Sequence, residues 1–372
     1  MNVGLLIDRW NPSRGGAETC MDLLARHLVA SGHEVHIIGA SSTGDLPGPF
    51  QRVRGLGLSR GVRERRLGRN MVAAARGLGC DTTIAVRHVE QPSVLWLHGG
   101  VHLGTLEARW RASHPSRQVP KALAVRGRHR AFVDLERRAM EGADGGGAGK
   151  IICPSRLVAS ELNRFHPAAA APHVVIPNGV DLSRFHPSAR AEAQTRLRAE
   201  LGITPDVPLI VTGARNPMLK GVPHLMRALK QVPGPWCFVL AGPKRPGAWA
   251  RRAYRSGLER GSVRVVSDLA PELLAAGANL CVQPTWRDPC PLITLEALAA
   301  GTPVVTTALS GLSPSVEQAG GLVIPDPACE QELAASITRL LEDPPSPDLV
   351  RAAVAERSVE SWLTAMEAAL LG

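Results

Sequence analysis

Apolar residues in this chain gather in short continuous runs, and stretches of helical spacing lie between the runs. The first series is NVGLLI (2–7), EVHIIG (34–39), TTIAV (82–86), SVLWLH (93–98), KIICP (150–154) and HVVIP (173–177). A second series follows with PLIVTGA (208–214), WCFVLAG (236–242), SVRVVS (262–267), NLCVQP (279–284) and TPVVTT (302–307). Continuous, β-branched runs predict strands covered on both faces, hence parallel sheets sandwiched by helices. A helix is predicted from about Ala17 to Ala30, and the tail SVESWLTAMEAALLG (358–372) reads as an amphipathic helix. Two strand–helix series predict two doubly wound α/β domains. The break falls in IPNGVDLSRFHPSARAE (176–192), where an Asn-Gly turn is flanked by prolines. The expected division is residues 1–182, residues 183–355, and a C-terminal helix over 356–372 that crosses back to the first domain. GADGGGAG (142–149) is expected to be a flexible loop.

Composition narrows the class. The length of 372 residues suits two domains at roughly 100–200 residues each. Hydrophobic content of 44% and a mean hydropathy of −0.01 fit a soluble globular enzyme. Aromatics make up 3%, which argues against base-stacking platforms for single-stranded nucleic acid. No apolar run has the length of a membrane span. The N-terminus lacks a basic region and meets Asp8 early, so it reads as strand and loop and not as a signal peptide. Seven widely spaced cysteines without a CxxC argue against a disulfide framework or a zinc site and point to the cytoplasm.

Charge adds a second theme. The formal net charge is +10, and residues 52–76 hold eight arginines and one acid. Residues 109–138 carry a further basic cluster. Such fields attract anionic substrates, acidic lipid headgroups or nucleic acid, although a run of charge is also what a solvated face looks like.

Four loops lie where an open α/β sheet binds ligands, beyond the carboxyl ends of its strands. RWNPSRGGAET (9–19) offers Gly15 and Gly16 ahead of a helix N-terminus, a turn that equally serves tight packing. GARNPMLKGV (213–222) offers Arg215 and Lys220, two cations suited to a diphosphate or simply solvated. SDLAPELLAA (267–276) offers Ser267 and Asp268 to a nucleobase, or as a plain helix cap. RDPCPLITLEALAAGTPVV (287–305) sets Asp288 in a loop, Pro289 and Pro291 before a helix, and Glu296 in its second turn. There the N–H groups of Leu292 and Ile293 face the ligand space, and a carboxylate at Glu296 can accept from a vicinal diol.

Taken together, these segments resemble the retaining family 4 glycosyltransferases. The acid–x7–Glu pattern followed by GTPVV carries the likeness, with RGGAET, PNGVDLSRF and the Arg/Lys loop in the same order. RHRAFVDLERRAM ahead of KIICPS is similar to the lipopolysaccharide core glucosyltransferases. The resemblance implies the GT-B fold, two Rossmann-like domains facing across a cleft. It implies that Gly15 and Gly16 line the donor diphosphate, that Arg215 and Lys220 neutralise the leaving nucleoside diphosphate, and that Leu292 and Ile293 bind phosphate through their N–H groups. It further implies that Asp288 holds donor-sugar hydroxyls, Glu296 the ribose, and that His98 stands near the donor sugar. Three positions depart from the family pattern: Asp288 replaces a Glu, Pro291 stands where many relatives have Gly, and Arg215 comes one position late in its loop.

The expected activity is transfer of a hexose, glucose first, from a UDP-sugar to a cell-envelope glycan or glycolipid such as lipopolysaccharide core. No cofactor or metal is required, and retention of configuration is implied by the resemblance. The expected location is the cytoplasm, with peripheral contact at the anionic inner face of the membrane. A UDP-sugar 2-epimerase of the same architecture is the alternative. A basic nucleic-acid-binding protein is a third reading, disfavoured by the scarcity of aromatics and the lack of a recognition motif.

Overall fold

The computed structural model describes residues 1–120, 123–142, 147–258, 262–267 and 269–372. The centre of the expected 142–149 loop and part of the 109–138 basic cluster therefore lie outside the described residues. The chain divides into two compact units: Met1–Glu107, Pro120–Gly179 and Glu360–Gly372 form the first, Ala108–Val119 and Val180–Val359 the second.

The first unit holds strands β1 (Asn2–Leu6), β2 (Arg9–Trp10), β3 (Glu34–Gly39), β4 (Ser41–Ser42), β5 (Phe50–Arg52), β6 (Thr82–Ala85), β7 (Val94–Trp96), β8 (Lys150–Cys153) and β9 (His173–Val175). Seven of them form one sheet in the order β5-β3-β1-β6-β7-β8-β9, with parallel pairing throughout. Central β1 pairs Leu5 with both Ile37 and Ile84, and its residues 3–6 are buried, as a strand covered on both faces requires. Helices α1 (Gly16–Ala30), α2 (Arg60–Gly77), α3 (His102–Ser113), α4 (Gly127–Glu141) and α5 (Arg156–Phe165) accompany the sheet.

The second unit contains α6 (Arg190–Leu201), β10 (Leu209–Gly213), α7 (Val222–Ala228), β11 (Cys237–Ala241), α8 (Pro246–Arg255), β12 (Ser262–Val266), α9 (Pro271–Gly277) and β13 (Leu280–Gln283). It continues through α10 (Leu292–Ala299), β14 (Val304–Thr307), α11 (Ser313–Gln318), β15 (Leu322–Ile324), α12 (Glu330–Glu342) and α13 (Pro347–Ala352). Its six strands run parallel in the order β12-β11-β10-β13-β14-β15. Neighbours on β10 serve opposite cores. Val211 packs with Cys281, Leu295 and Leu298, whereas Ile210 packs with Phe238, Leu240 and Val282.

The last helix, α14 (Val359–Leu371), joins the first unit from Glu360 onward. Trp362 meets Trp96 at 5.9 Å between ring centroids, Lys150 Nζ donates to Ala369 O, and Glu367 accepts from His27 and His33. Residues Ala108–Val119, counted above with the first domain, cluster instead with the second unit, where Ala108 and Ala112 pack on Trp286. Every predicted strand is present. The unpredicted strands are β2 and β4, two residues each, and β5 and β15, three residues each, all too short for a hydrophobic pattern to register.

Candidate active site

In the second unit the site is built on two loops at the carboxyl ends of β10 and β13. The loop after β10 is tight: Lys220 N donates to Asn216 O, Gly221 N to Met218 O and Val222 N to Pro217 O. Gly221 takes φ +67°, and a Cβ there would stand 1.9 Å from Pro284 O, so only glycine closes this turn. Trp286 N donates to Leu219 O, which straps the loop to the end of β13. The strap brings Lys220 Nζ onto Asp288 Oδ2, an ion pair with both side chains mostly buried. Asp288 is itself fixed through its backbone, bonding Leu309 O and accepting from Gly311 N. The Leu309–Gly311 segment had no sequence signal, because its contribution is main-chain only. Arg215 is exposed and makes no ion pair with a described residue.

Helix α10 begins at Pro291, whose carbonyl accepts from Thr294 N and Leu295 N. The N–H groups of Leu292 and Ile293 therefore have no intrahelical acceptor and are available to an anion. Ile293 packs against Gly213, where a Cβ would come within 3.2 Å. Apart from Glu296, α10 is apolar or neutral, with Leu295, Ala297, Leu298 and Ala299 buried. The Glu296 carboxylate is half-buried and has no hydrogen-bond partner among the described residues. Burial pushes its pKa up to about 7; the Arg184 guanidinium opposes that rise and the Glu272 carboxylate adds to it.

Arg184 and Glu272 were not picked out from the sequence as site residues. They form a 2.6 Å ion pair. Asp181 orients Arg184 by accepting from the N–H groups of Ser183 and Arg184, which gives the PNGVDLSRF segment a physical reason. The signal was present in that motif, but nothing in linear spacing ties it to Glu296. Ser267 is exposed after β12, and Asp268 lies outside the described residues.

In the first unit, Gly15 caps α1 in an extended conformation and Gly16 opens the helix. Glu18 approaches the Gly15 position and is paired with Arg14 at 2.9 Å. His98 lies just past β7, its ring edge-on to Trp96 at 4.9 Å. Its loop turns through a Gly100 N to Leu97 O hydrogen bond and enters α3 at His102.

The start of α3 is anchored by Glu136, which is fully buried. Its carboxylate accepts from His102 N at 2.8 Å, His88 Nε2 at 2.7 Å and His166 Nε2 at 3.2 Å. Burial works to raise its pKa, but the hydrogen bonds from His166 and His88 prevail and hold it at about 2. This knot was hidden within the basic 109–138 stretch, where Glu136 looks like one more surface charge.

Comparison with known proteins fits this arrangement. Residues 14–184 match the model of Glycosyltransferase Family 4, and residues 207–343 match that of glycosyl transferases group 1. Together these matches take in most of the chain, and the protein belongs to the group 1 glycosyltransferases of the family 4 type. The D-inositol 3-phosphate glycosyltransferase of Kineococcus radiotolerans is 26% identical over 398 residues, covering 96% of this chain and 89% of that protein. The crystal structure of WaaG, a glycosyltransferase involved in lipopolysaccharide biosynthesis, superposes with a TM-score of 0.82 at 17% identity, covering 100% of both chains. Anabaena HepE in complex with UDP and glucose gives a TM-score of 0.71 at 19% identity, with 98% of each chain covered. These structural likenesses establish the fold, two parallel-sheet α/β domains of the GT-B glycosyltransferases.

Proposed function

We propose that this protein is a retaining, metal-independent hexosyltransferase that moves glucose from UDP-glucose to an anionic glycan or glycolipid of the cell envelope. The observation that carries the reading is Glu296. A half-buried carboxylate with no hydrogen-bond partner among the described residues, one turn below two helix N–H groups that lack an intrahelical acceptor, is costly unless a ligand satisfies it. A ribose diol supplies the hydroxyls, and the attached diphosphate supplies acceptors for Leu292 and Ile293. HepE, of the same fold, is described in complex with UDP and glucose, which supports UDP-glucose as donor.

The mechanism follows from this placement. The bond between the sugar's anomeric carbon and the diphosphate oxygen breaks, negative charge grows on the leaving diphosphate, and an acceptor hydroxyl bonds the anomeric carbon on that same face while its proton passes to the departing diphosphate oxygen. Lys220, Arg215 and the positive end of α10 stabilise that charge before it develops. Asp288 neutralises Lys220 in an ion pair. When the diphosphate takes over Lys220, Asp288 is released to accept from sugar hydroxyls. The family resemblance assigns Gly15 and Gly16 to the donor diphosphate and His98 to the sugar, and their place in the sequence offers Ser267 and Asp268 to the base.

For the acceptor, the basic clusters at 52–76 and 109–138 favour an anionic molecule. A phosphorylated cyclitol is the second reading, favoured by the Kineococcus relative, a D-inositol 3-phosphate glycosyltransferase. Product analysis tests the proposal. With UDP-glucose and candidate acceptors, UDP and a glycosylated product should accumulate together. Release of UDP with an altered free sugar, independent of acceptor, would mark an epimerase instead. Among the described residues no helix is long and apolar enough to cross a membrane, so any envelope contact made by them is at a surface.

A further inference from the structure

The segment joining β5 to α2 reads Arg54-Gly55-Leu56-Gly57-Leu58-Ser59, an alternation with the glycines inward and the leucines outward. The glycines are pressed on α2. A Cβ at Gly55 would meet Arg63 O at 2.1 Å, and one at Gly57 would meet the Val62 side chain at 2.6 Å. Two straps hold the segment down. Asn70 Nδ2 donates to Arg54 O at 2.7 Å, and Arg66 Nη1 donates to Leu56 O at 3.0 Å. Ser59 then caps α2 by accepting from Val62 N.

The consequence is two leucines held on the surface. Leu56 is 68% exposed and Leu58 106%. Turning the strip over would drive both leucines into α2, where only glycine fits. Around it stand Arg52, Arg54, Arg60 and Arg63, all exposed and without an acidic partner among the described residues. The N-terminus of α4 adjoins, with Gly127 O 3.4 Å from the Gly61 Cβ position, and adds exposed Arg126 and Arg128. No acid occurs between Leu46 and Arg63.

We infer that this strip docks on an anionic lipid bilayer, with Leu56 and Leu58 entering the boundary between headgroups and acyl chains and the arginines engaging lipid phosphates. Charge complementarity selects this partner. Exposed apolar side chains rimmed by arginine suit an interface that is apolar beneath and negative at its surface. A solvated face has no use for the leucines, and a free sugar phosphate would engage only the cations. The inference deepens the envelope reading and rests on it for its purpose, but its test does not depend on transfer.

The test is co-sedimentation of the full chain with vesicles of equimolar phosphatidylglycerol and phosphatidylcholine, and with phosphatidylcholine alone. Wild type should bind the anionic vesicles and not the neutral ones. Leu56→Ser with Leu58→Ser should weaken binding by about tenfold or more, as expected for withdrawing two leucine side chains from an apolar boundary. Arg60→Glu with Arg63→Glu should abolish it at physiological salt. Melting temperature and nucleotide stabilisation, measured on the same samples, should be unchanged in both variants. Loss of nucleotide stabilisation from all samples would sink the transferase reading while leaving vesicle binding to be judged separately. Vesicle binding indifferent to the leucines would overturn the docking inference, as would a leucine-dependent change from dimer to monomer, which would assign the strip to a second copy. Binding to RNA equal to that on vesicles and independent of the leucines would overturn it too.

Discussion

Lys220 and Asp288, 68 residues apart in the chain, form a mostly buried ion pair joining the loop after β10 to the loop before α10. The residue proposed to receive the diphosphate and the residue proposed to hold the sugar thus neutralise each other. Donor binding must exchange one partner for another. Asp288→Asn should leave UDP binding equal or tighter, because Lys220 no longer has a competing carboxylate, while turnover falls by roughly tenfold or more. Lys220→Met should weaken UDP binding by roughly 10–100-fold, the cost of a lost charge-assisted hydrogen bond. Calorimetric Kd values set beside kcat test the pair. Equal weakening of UDP binding in both variants would contradict the exchange.

Glu296 makes stability depend on pH in an uncommon direction. Its folded-state pKa of about 7 lies above the ordinary 4.5, so the folded protein keeps a proton that the unfolded chain releases. Stability contributed here falls as pH rises from 4.5 to about 7 and is level above that. The loss is roughly 3 kcal/mol at about 1.4 kcal/mol per pH unit. Glu296→Gln should remove the fall, leaving the variant more stable than wild type at pH 8. Urea unfolding of both proteins across this range checks the difference. Near pH 6, UDP binding to wild type should release a proton, visible as a buffer-dependent binding enthalpy.

The Glu136 knot predicts the opposite slope in acid. Its depressed pKa means its stabilisation is present above the ordinary 4.5 and is lost as pH falls toward about 2. Burial lowers the His166 pKa, but its bonds to Glu136 and Glu141 prevail and raise it. That contribution is full below the ordinary 6.5 and is lost as pH climbs through the raised value. Glu136→Gln should cost about 3–5 kcal/mol, as breaking a buried pair does. It should also flatten both limbs of the melting-temperature profile. A cost below about 1 kcal/mol would show that the knot is not buried as described.

Gly221→Ala combines a positive φ with a clash on Pro284 O. It should destabilise the second unit by more than about 1 kcal/mol. It should also weaken UDP binding, because Lys220 is the preceding residue. Calorimetry on the purified variant reads both effects.

Much of this protein is legible in its sequence, and the reasons are particular. The strands are continuous apolar runs because both sheet faces are covered, as Ile210 and Val211 show by serving different cores. Lys220, Asp288 and Glu296 stood out because each is a charge in a loop or an apolar helix. Arg184, Glu272 and Glu136 did not, since their meaning depends on partners 88 residues away or on three histidines from separate elements. The Leu309–Gly311 segment holds Asp288 through main chain alone, which composition cannot reveal. The outward leucines were hidden inside an arginine-rich run, where glycine packing on α2, and not hydrophobicity, decides which side faces solvent.

The central claim is that the second unit holds a uridine nucleotide through Glu296. Its most direct test is a thermal-shift panel with UDP, GDP and ADP on wild type and Glu296→Ala. At about 100 times its Kd a ligand adds roughly 2.7 kcal/mol, several degrees in Tm. The account predicts that UDP alone raises the wild-type Tm and that the variant does not respond. Equal stabilisation of the variant by UDP, or no response of wild type to any nucleotide, would contradict it.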